Sequence, residues 1–168
     1  MSIVSWFRTH KRQIITHTSI IVGLVLFTIF ATEPLFDRLE RIPGEAQLHR
    51  VRLPAATDDI RYSIEDVSDG GTAVQVSGWA FINGHDSMDS KTYIVLRSTK
   101  RTYVFDAAMR ERPDVTKYFR ELNLNLDCSG FIAIIPARKI AGGKYAIGIY
   151  ITKGDIEVLQ YTDKIVEF

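Results

Sequence analysis

Disulfide bonds within the chain are excluded, because the 168-residue sequence contains a single cysteine, Cys128. The fold must therefore be stabilised by its hydrophobic core. We expect Cys128 to be a small buried hydrophobe, with an intermolecular disulfide as the alternative. Histidine is also scarce, since three of the four histidines precede residue 60. His85 is thus the one imidazole available to a site in the C-terminal part of the chain.

Motifs that carry catalysis are missing. The sequence has no glycine-rich phosphate loop, no cysteine or histidine pair at metal-ligand spacing and no Gly-x-Ser-x-Gly. Asp86 and Asp89 lie close to His85, but their spacing matches no known Ca²⁺ loop, and we expect a solvated hairpin tip there. The net charge of +1 provides no attraction for nucleic acid. The sequence predicts a non-enzymatic protein with no cofactor and no nucleic-acid partner.

One long apolar run is present near the N-terminus. Ile14–Ala31 carries no formal charge, and its 18 residues correspond to about 27 Å of helix, close to the ~30 Å hydrocarbon core of a bilayer. Arg8, Lys11 and Arg12 precede the run, which places the N-terminus in the cytoplasm. We expect an uncleaved single-pass anchor in the plasma (inner) membrane. A cleaved signal peptide is the alternative, although Ile29 stands where a cleavage site needs a small residue.

The remaining chain is predicted to contain one soluble domain. We divide the sequence into a basic cytoplasmic N-terminus (1–13), a transmembrane helix (14–31), a juxtamembrane connector (32–59) and an extracytoplasmic domain (60–168). From Ile60 onward the apolar residues alternate with period two, in about seven short segments separated by Gly, Asn and Asp turns. This pattern predicts a mainly β fold, an antiparallel β-sandwich of the immunoglobulin-like or jelly-roll type. Arg112-Pro113-Asp114 predicts the start of one short helix that bridges the two sheets.

Aromatic residues on the predicted strands are the candidates for ligand binding. Rings such as Trp79, Tyr150 and Tyr161 can stack on the apolar C–H faces of sugars, while nearby polar groups bind the hydroxyls. For Trp79 itself we expect a packing role as the central aromatic of the sandwich core, with ligand binding as the alternative. Arg110 and Arg112, beside the predicted helix, are weaker candidates for a polar site, and we expect ordinary surface ion pairs there.

Four short motifs follow one another in the predicted β domain: Ser77-Gly78-Trp79-Ala80-Phe81, Arg112-Pro113-Asp114-Val115, Gly130-Phe131 and Gly143-Lys144-Tyr145. Their order resembles a β-sandwich domain appended to bacterial cell-envelope glycan proteins, including multi-spanning glycosyltransferase-like membrane proteins. The resemblance covers about residues 60–168 and supplies no catalytic residue.

What the resemblance implies is an accessory or binding subunit in the assembly of cell-envelope polysaccharide. Its partners would then be the lipid bilayer, a multi-spanning glycosyltransferase or transporter, and glycan. Two alternatives remain. One is a stand-alone lectin-like module with exposed aromatics on one sheet, and the other is a protein-interaction module that pairs through its final edge strand, Ile156–Phe168.

Overall fold

The computed structural model describes residues 46–168, which form two β-sheets packed face to face. Nine strands occur in this part of the chain: β1 (Leu48–His49), β2 (Ile60–Asp69), β3 (Ala73–Ile82), β4 (Lys91–Arg97), β5 (Thr102–Asp106), β6 (Ala108–Arg110), β7 (Gly130–Pro136), β8 (Lys144–Lys153) and β9 (Ile156–Glu167). One α-helix, α1 (Pro113–Tyr118), is followed by a 3₁₀ turn at Arg120–Leu122, and a second 3₁₀ turn covers Ala137–Lys139.

Every strand pairing in the two sheets is antiparallel. The four-stranded sheet has the order β2-β3-β7-β6, and the five-stranded sheet has the order β1-β5-β4-β8-β9. The prediction of a mainly β, antiparallel two-sheet domain with one short helix is confirmed. The strands that the sequence did not predict are β1 and β6, which are two and three residues long and lie at sheet edges.

The main hydrophobic core lies between the two sheets. It is built from alternate positions of strands in both sheets, among them Val74, Val76 and Ala80 of β3 and Ile147, Ile149 and Ile151 of β8. These positions follow the period of two that the sequence shows, because successive side chains of a strand point to opposite faces. The same alternation sends the intervening residues of β3 and β8 to the outer faces of the sandwich.

A second cluster covers the outer face of the four-stranded sheet. Phe81 of β3 is buried there against Val115 of α1 and Leu126 of the segment before β7, and Trp79 lies half-buried beside it. The prediction that the helix bridges the two sheets is wrong, because the strands before and after it, β6 and β7, belong to the same sheet. The interpretation of Trp79 as the central core aromatic is also wrong, since its cluster is separate from the inter-sheet core.

Residues 46–59 pack on the sandwich, although the sequence predicts a connector up to residue 59. The Ala46 amide donates to a carbonyl of β7, and the Thr57 amide donates to a carbonyl of β9. Between them, β1 pairs with β5. Leu53 packs against the buried cluster on the outer face of the five-stranded sheet, which consists of Val95, Val104, Tyr150 and Leu159. The segment is therefore part of the folded domain, which begins before residue 60.

The outer edge of β9 is interrupted along its length. Ala56 forms a parallel bridge to Leu159 near the start of the strand, and the pairing with β8 changes register between Ile165 and Tyr161. The exposed residues at this irregularity include the charged Asp163 and Lys164. Bulges, charges and covering segments each hinder the pairing of an edge with another chain. This geometry disfavours the alternative of an interaction module that uses the whole of β9.

The predicted transmembrane helix, Ile14–Ala31, lies outside the described residues. Within residues 46–168, no helix has both the length and the apolar character needed to cross a membrane.

Replacement of Leu53 by alanine tests whether the segment before β2 belongs to the fold. We expect Leu53→Ala to lower the free energy of unfolding by about 2 kcal/mol, because a half-buried leucine loses its contacts with the outer face of the five-stranded sheet. The matched control is Val51→Ala, since Val51 is 44% exposed and its loss should change stability by less than about 0.5 kcal/mol. If urea unfolding showed that both substitutions change the free energy of unfolding by less than about 0.5 kcal/mol, the segment would be a free connector.

Candidate functional site

A groove of about 640 Å³ lies on the outer face of the four-stranded sheet, where α1 crosses β2 and β3. We call it the Trp79 groove. Its lining consists of Tyr62, Ser63, Trp79, Asp114, Val115, Tyr118 and Phe119. The lining thus combines four aromatic rings with a hydroxyl and a carboxylate. Its volume lies within the range of about 300–1,000 Å³ that is common for small-molecule sites.

Aromatic side chains form one wall of the Trp79 groove. The indole of Trp79 stacks on Phe81 at 5.9 Å between ring centroids, and the ring of Phe119 meets Trp79 edge-on at 5.4 Å. Tyr118 meets Phe119 edge-on at 4.8 Å, yet its side chain is 76% exposed. Trp79 and Phe119 therefore have packing roles as well as exposed surface. Tyr118 is a large ring that packing inside the domain does not explain.

Helix α1 is fixed to the sheet by its buried side. Val115 is 2% exposed and contacts the cluster around Phe81. The Thr116 hydroxyl donates to the Asp127 carboxylate and accepts a hydrogen bond of 2.9 Å from the amide of Leu126. These bonds join α1 to the segment that leads into β7. Because the helix is held on this side, Asp114, Tyr118 and Phe119 are presented to the groove.

An ion-pair network lies at the end of the groove. The guanidinium of Arg112 donates to the Asp114 carboxylate from Nε (2.8 Å) and Nη2 (2.7 Å), and to the Glu65 carboxylate from Nη1 (2.8 Å) and Nη2 (2.9 Å). These hydrogen bonds raise the pKa of Arg112 and lower the pKa of Asp114. The side chain of Arg112 is 24% exposed, whereas those of Glu65 and Asp114 are 46% and 62% exposed. Arg112 thus forms the surface ion pairs expected of it, and it bridges two carboxylates at once.

Glu65 reaches Arg112 because β2 bulges at this residue. In the pairing of β2 with β3, Ile64 lies opposite Gly78 and Asp66 lies opposite Ser77, so Glu65 has no partner. Gly78 permits the close approach of the two strands, since a Cβ there would lie 2.0 Å from the carbonyl oxygen of Ser63. The glycine is therefore a steric requirement of the bulge that positions Glu65.

Gly130 plays a comparable role on the other side of Arg112. A Cβ at Gly130 would lie 2.6 Å from Cγ of Arg112 and 2.7 Å from the carbonyl oxygen of Arg110. The missing side chain leaves room for the stem of Arg112 to pass over β7. Residues of three sequence motifs thus lie in or beside the Trp79 groove: Trp79, Asp114 and Val115 line it, and Gly78 and Gly130 make room for the neighbouring β2 backbone and for Arg112.

The fourth motif lies at a different place. Lys144 and Tyr145 line a smaller groove of about 360 Å³ between the β4–β5 turn and the loop before β8, together with Lys100 and Arg101. The Tyr145 hydroxyl donates to the carbonyl of Ala141 at 2.7 Å, and its ring belongs to the inter-sheet core. This tyrosine ties the loop to the core, and the lining of this groove shares no residue with that of the Trp79 groove.

The other predicted aromatic candidates lie on the five-stranded sheet. Tyr150 is 3% exposed, and burial, with Glu157 nearby, raises the pKa of its phenol to about 12. Tyr161 is half-buried, and the guanidinium of Arg97 lies 5.2 Å from the centre of its ring. Neither ring lines the same groove as Trp79. Arg110, at the end of β6, is exposed and pairs with β7 through its backbone.

The loop of Asp86 and Asp89 holds an ammonium group. Lys153 Nζ lies 2.6 Å from Oδ1 of Asp86, and this hydrogen bond lowers the pKa of the Asp86 carboxyl. Asp89 is exposed and has a φ of 59°. Among the described residues, no three His, Cys, Asp or Glu side chains are grouped to hold a metal ion. Cys128 is half-buried, and its Sγ lies 3.6 Å from Sδ of Met88.

Sequence reasoning missed two contributors to the site. Glu65 lies in a run of exposed residues and becomes notable through the bulge, for which the sequence carries no signal beyond Gly78. Tyr118 follows Val115 at helical spacing, which predicts that the two share an apolar side of the helix, but Tyr118 is exposed. Helical spacing alone does not separate these two positions, because α1 is six residues long and only part of its surface contacts the sheet.

No protein-family model, curated protein or solved structure matches this chain. The resemblance to envelope-glycan proteins therefore rests on the four sequence motifs and stays a prediction.

Alanine at position 78 tests the steric role of Gly78. We expect Gly78→Ala to lower the free energy of unfolding by about 3 kcal/mol, because the new Cβ collides with the backbone of β2 rather than with a flexible side chain. Gly142→Ala is the matched control, since its nearest atom would be 3.4 Å away. Urea unfolding followed by circular dichroism measures both. A Gly78→Ala protein as stable as the control would contradict the proposed close approach of β2 and β3.

Proposed function

We propose that this chain is a non-catalytic, membrane-anchored subunit that binds glycan in the Trp79 groove and serves the assembly of cell-envelope polysaccharide. The observation that carries the proposal is the exposed ring of Tyr118 beside Trp79, with the Asp114 carboxylate in the same groove. The membrane anchor is the predicted helix Ile14–Ala31. The assignment of the sandwich to the immunoglobulin-like or jelly-roll type is part of the same proposal.

The chemistry of the groove supports a saccharide ligand. A pyranose presents an apolar C–H face that stacks on an aromatic ring, and it presents hydroxyls at its edge. Trp79, Tyr118 and Phe119 offer rings, while Ser63, Tyr62 and Asp114 offer polar atoms in the same lining. A purely apolar ligand would use only the rings and would leave the Asp114 carboxylate to Arg112 and solvent. A ligand that is apolar on one face and hydroxylated at its edge uses both parts of the lining.

The lectin-like alternative and the accessory-subunit interpretation share this groove and differ in their partners. A stand-alone lectin needs only glycan, whereas an accessory subunit also contacts a membrane enzyme or transporter. The edge-strand alternative is less well supported, because β9 is bridged by Ala56 and bulges near Tyr161. We therefore favour glycan binding as the activity of the domain, with the order of the four motifs as the support for the envelope context.

Replacement of Tyr118 by alanine tests the proposed function directly. The full-length chain in mild detergent should bind saccharides on a glycan array that contains neutral, amino and acidic sugars. We expect Tyr118→Ala to raise the Kd about 3- to 10-fold, because one stacking ring contributes about 0.5–1.5 kcal/mol. Stability should change by less than about 0.5 kcal/mol, since the side chain is 76% exposed.

The matched control is Tyr161→Ala, which removes a tyrosine on the opposite sheet. This substitution should leave the Kd unchanged. Absence of binding to every glycan of the array would overturn the proposed function. A loss of affinity in Tyr161→Ala but not in Tyr118→Ala would move the site to the five-stranded sheet.

Co-purification tests the accessory role separately. We expect tagged full-length protein, purified in mild detergent, to carry a multi-spanning transferase or transporter in stoichiometric amount, identified by mass spectrometry. The control is Tyr118→Ala, which should retain the membrane partner while its affinity for glycan falls. Recovery of the chain alone would exclude the accessory role and leave the lectin-like alternative.

A further inference from the structure

We propose that the Trp79 groove selects saccharides that are uncharged or carry an amine over saccharides that carry a carboxylate. In this assignment Asp114 contacts the ligand, and Arg112 is the residue that positions Asp114. The inference rests on the proposed function, since it names the class of glycan for the same groove. Three properties of the network formed by Arg112, Glu65 and Asp114 support it.

The first property is that Arg112 is occupied. A guanidinium has five N–H donors, and the hydrogen bonds to Glu65 and Asp114 use four of them. The side chain is only 24% exposed, and Gly130 leaves its stem a fixed path over β7. An arginine held in this way has little capacity to receive a ligand carboxylate. Arg112 therefore acts through Asp114 rather than as an anion receptor.

The second property is that Asp114 remains available. Its two oxygens each accept one hydrogen bond from Arg112, whereas a carboxylate offers about four lone-pair sites. The side chain is 62% exposed and lines the groove. The remaining lone pairs can accept hydrogen bonds from sugar hydroxyls or from an ammonium group. Hydrogen bonds to an ionised acceptor are stronger than those between neutral groups.

The third property is the charge of the network. Two carboxylates and one guanidinium sum to one negative charge, and the pKa of Asp114 is lowered by Arg112, so Asp114 stays ionised near neutral pH. Among the described residues that line the groove, Asp114 carries the one ionised side chain. A carboxylate on the sugar would be repelled at this position, and an ammonium would be attracted.

One cation near the aromatic wall could favour the opposite selectivity. The guanidinium of Arg61 lies 5.8 Å from the centre of the Phe119 ring, and its Nε donates to Asn83. If this arginine received a ligand carboxylate, acidic sugars would bind best. The two assignments predict opposite orders of affinity, so one series of ligands separates them.

The experiment uses three β-1,4-linked tetrasaccharides of glucose, glucosamine and glucuronic acid, which share one backbone and differ in charge. Binding to the full-length chain in detergent is measured by calorimetry. We expect the glucosamine tetrasaccharide to bind most tightly, because its ammonium groups are attracted by the Asp114 carboxylate. The glucose tetrasaccharide should bind next. The glucuronic acid tetrasaccharide should bind at least about tenfold more weakly than glucose, because Asp114 repels its carboxylates.

Two substitutions distinguish the residue that contacts the ligand from the residue that positions it. Asp114→Asn should weaken glucose binding about tenfold and remove the difference between the three sugars. Arg112→Lys should weaken glucose binding as well, because one ammonium cannot bridge Glu65 and Asp114 in the same geometry. It should keep the preference for uncharged over acidic sugar, since Asp114 remains ionised. This preserved order is a readout that a general loss of structure would not produce.

The outcomes are distinct. If none of the three tetrasaccharides binds, the selectivity assigned to Asp114 is overturned, and the glycan array decides the proposed function. If they bind with equal affinity, or if Asp114→Asn leaves the order unchanged, glycan binding stands and the assignment of Asp114 is overturned. Tightest binding by glucuronic acid, abolished in Arg61→Ala, would assign the groove to acidic sugars instead.

Discussion

Burial of both faces of each sheet is the constraint on which the rest of this structure depends. An antiparallel sheet commonly leaves one face in solvent, and a small domain without disulfides must gain its stability from buried apolar area. Here α1 covers part of the four-stranded sheet, and the segment that holds Leu53 covers the five-stranded sheet. The segment that holds Leu53 packs on the cluster that contains the buried Tyr150. Helix α1 covers less of its sheet and leaves the Trp79 groove open.

The Trp79 groove exists because α1, the helix that covers this face of the sheet, is short. Helix α1 has six residues and spans about 9 Å, whereas the strands beneath it are each ten residues long. Val115 fixes the helix over Phe81, and the surface beside it, around Trp79, stays accessible. Arg112, the residue before the helix, is bound by Glu65 from a bulge in β2 and by Asp114 from the first helical turn. The helix and its flanking residues therefore provide Tyr118 and Phe119 of the aromatic wall, the carboxylate and the arginine that holds it.

The parts of the fold that the sequence predicted are those set by local patterns. Alternation of apolar residues places Val76 and Ala80 on one face of β3 and Trp79 on the other, as in the structure. The errors concern which faces are covered. Trp79 was interpreted as core and Tyr150 as exposed, because alternation tells which residues share a face but not what lies over that face. Leu53, almost a hundred residues earlier, packs on the cluster that contains Tyr150, together with Tyr93 and Tyr161.

By itself, the sequence determined the mainly β character of the domain, the positions of most strands and turns, the start of the helix near Pro113, and the exclusion of an internal disulfide. These features depend on the period of apolar residues, on turn residues and on composition, all of which are local. Only the tertiary structure decided that Glu65, 47 positions from Arg112 in sequence, joins Asp114 on one guanidinium. That meeting depends on a bulge opposite Gly78 and on the path over Gly130. The bulge and the path of Arg112 both depend on close packing of the backbone, and the sequence shows no periodic pattern that would predict such packing.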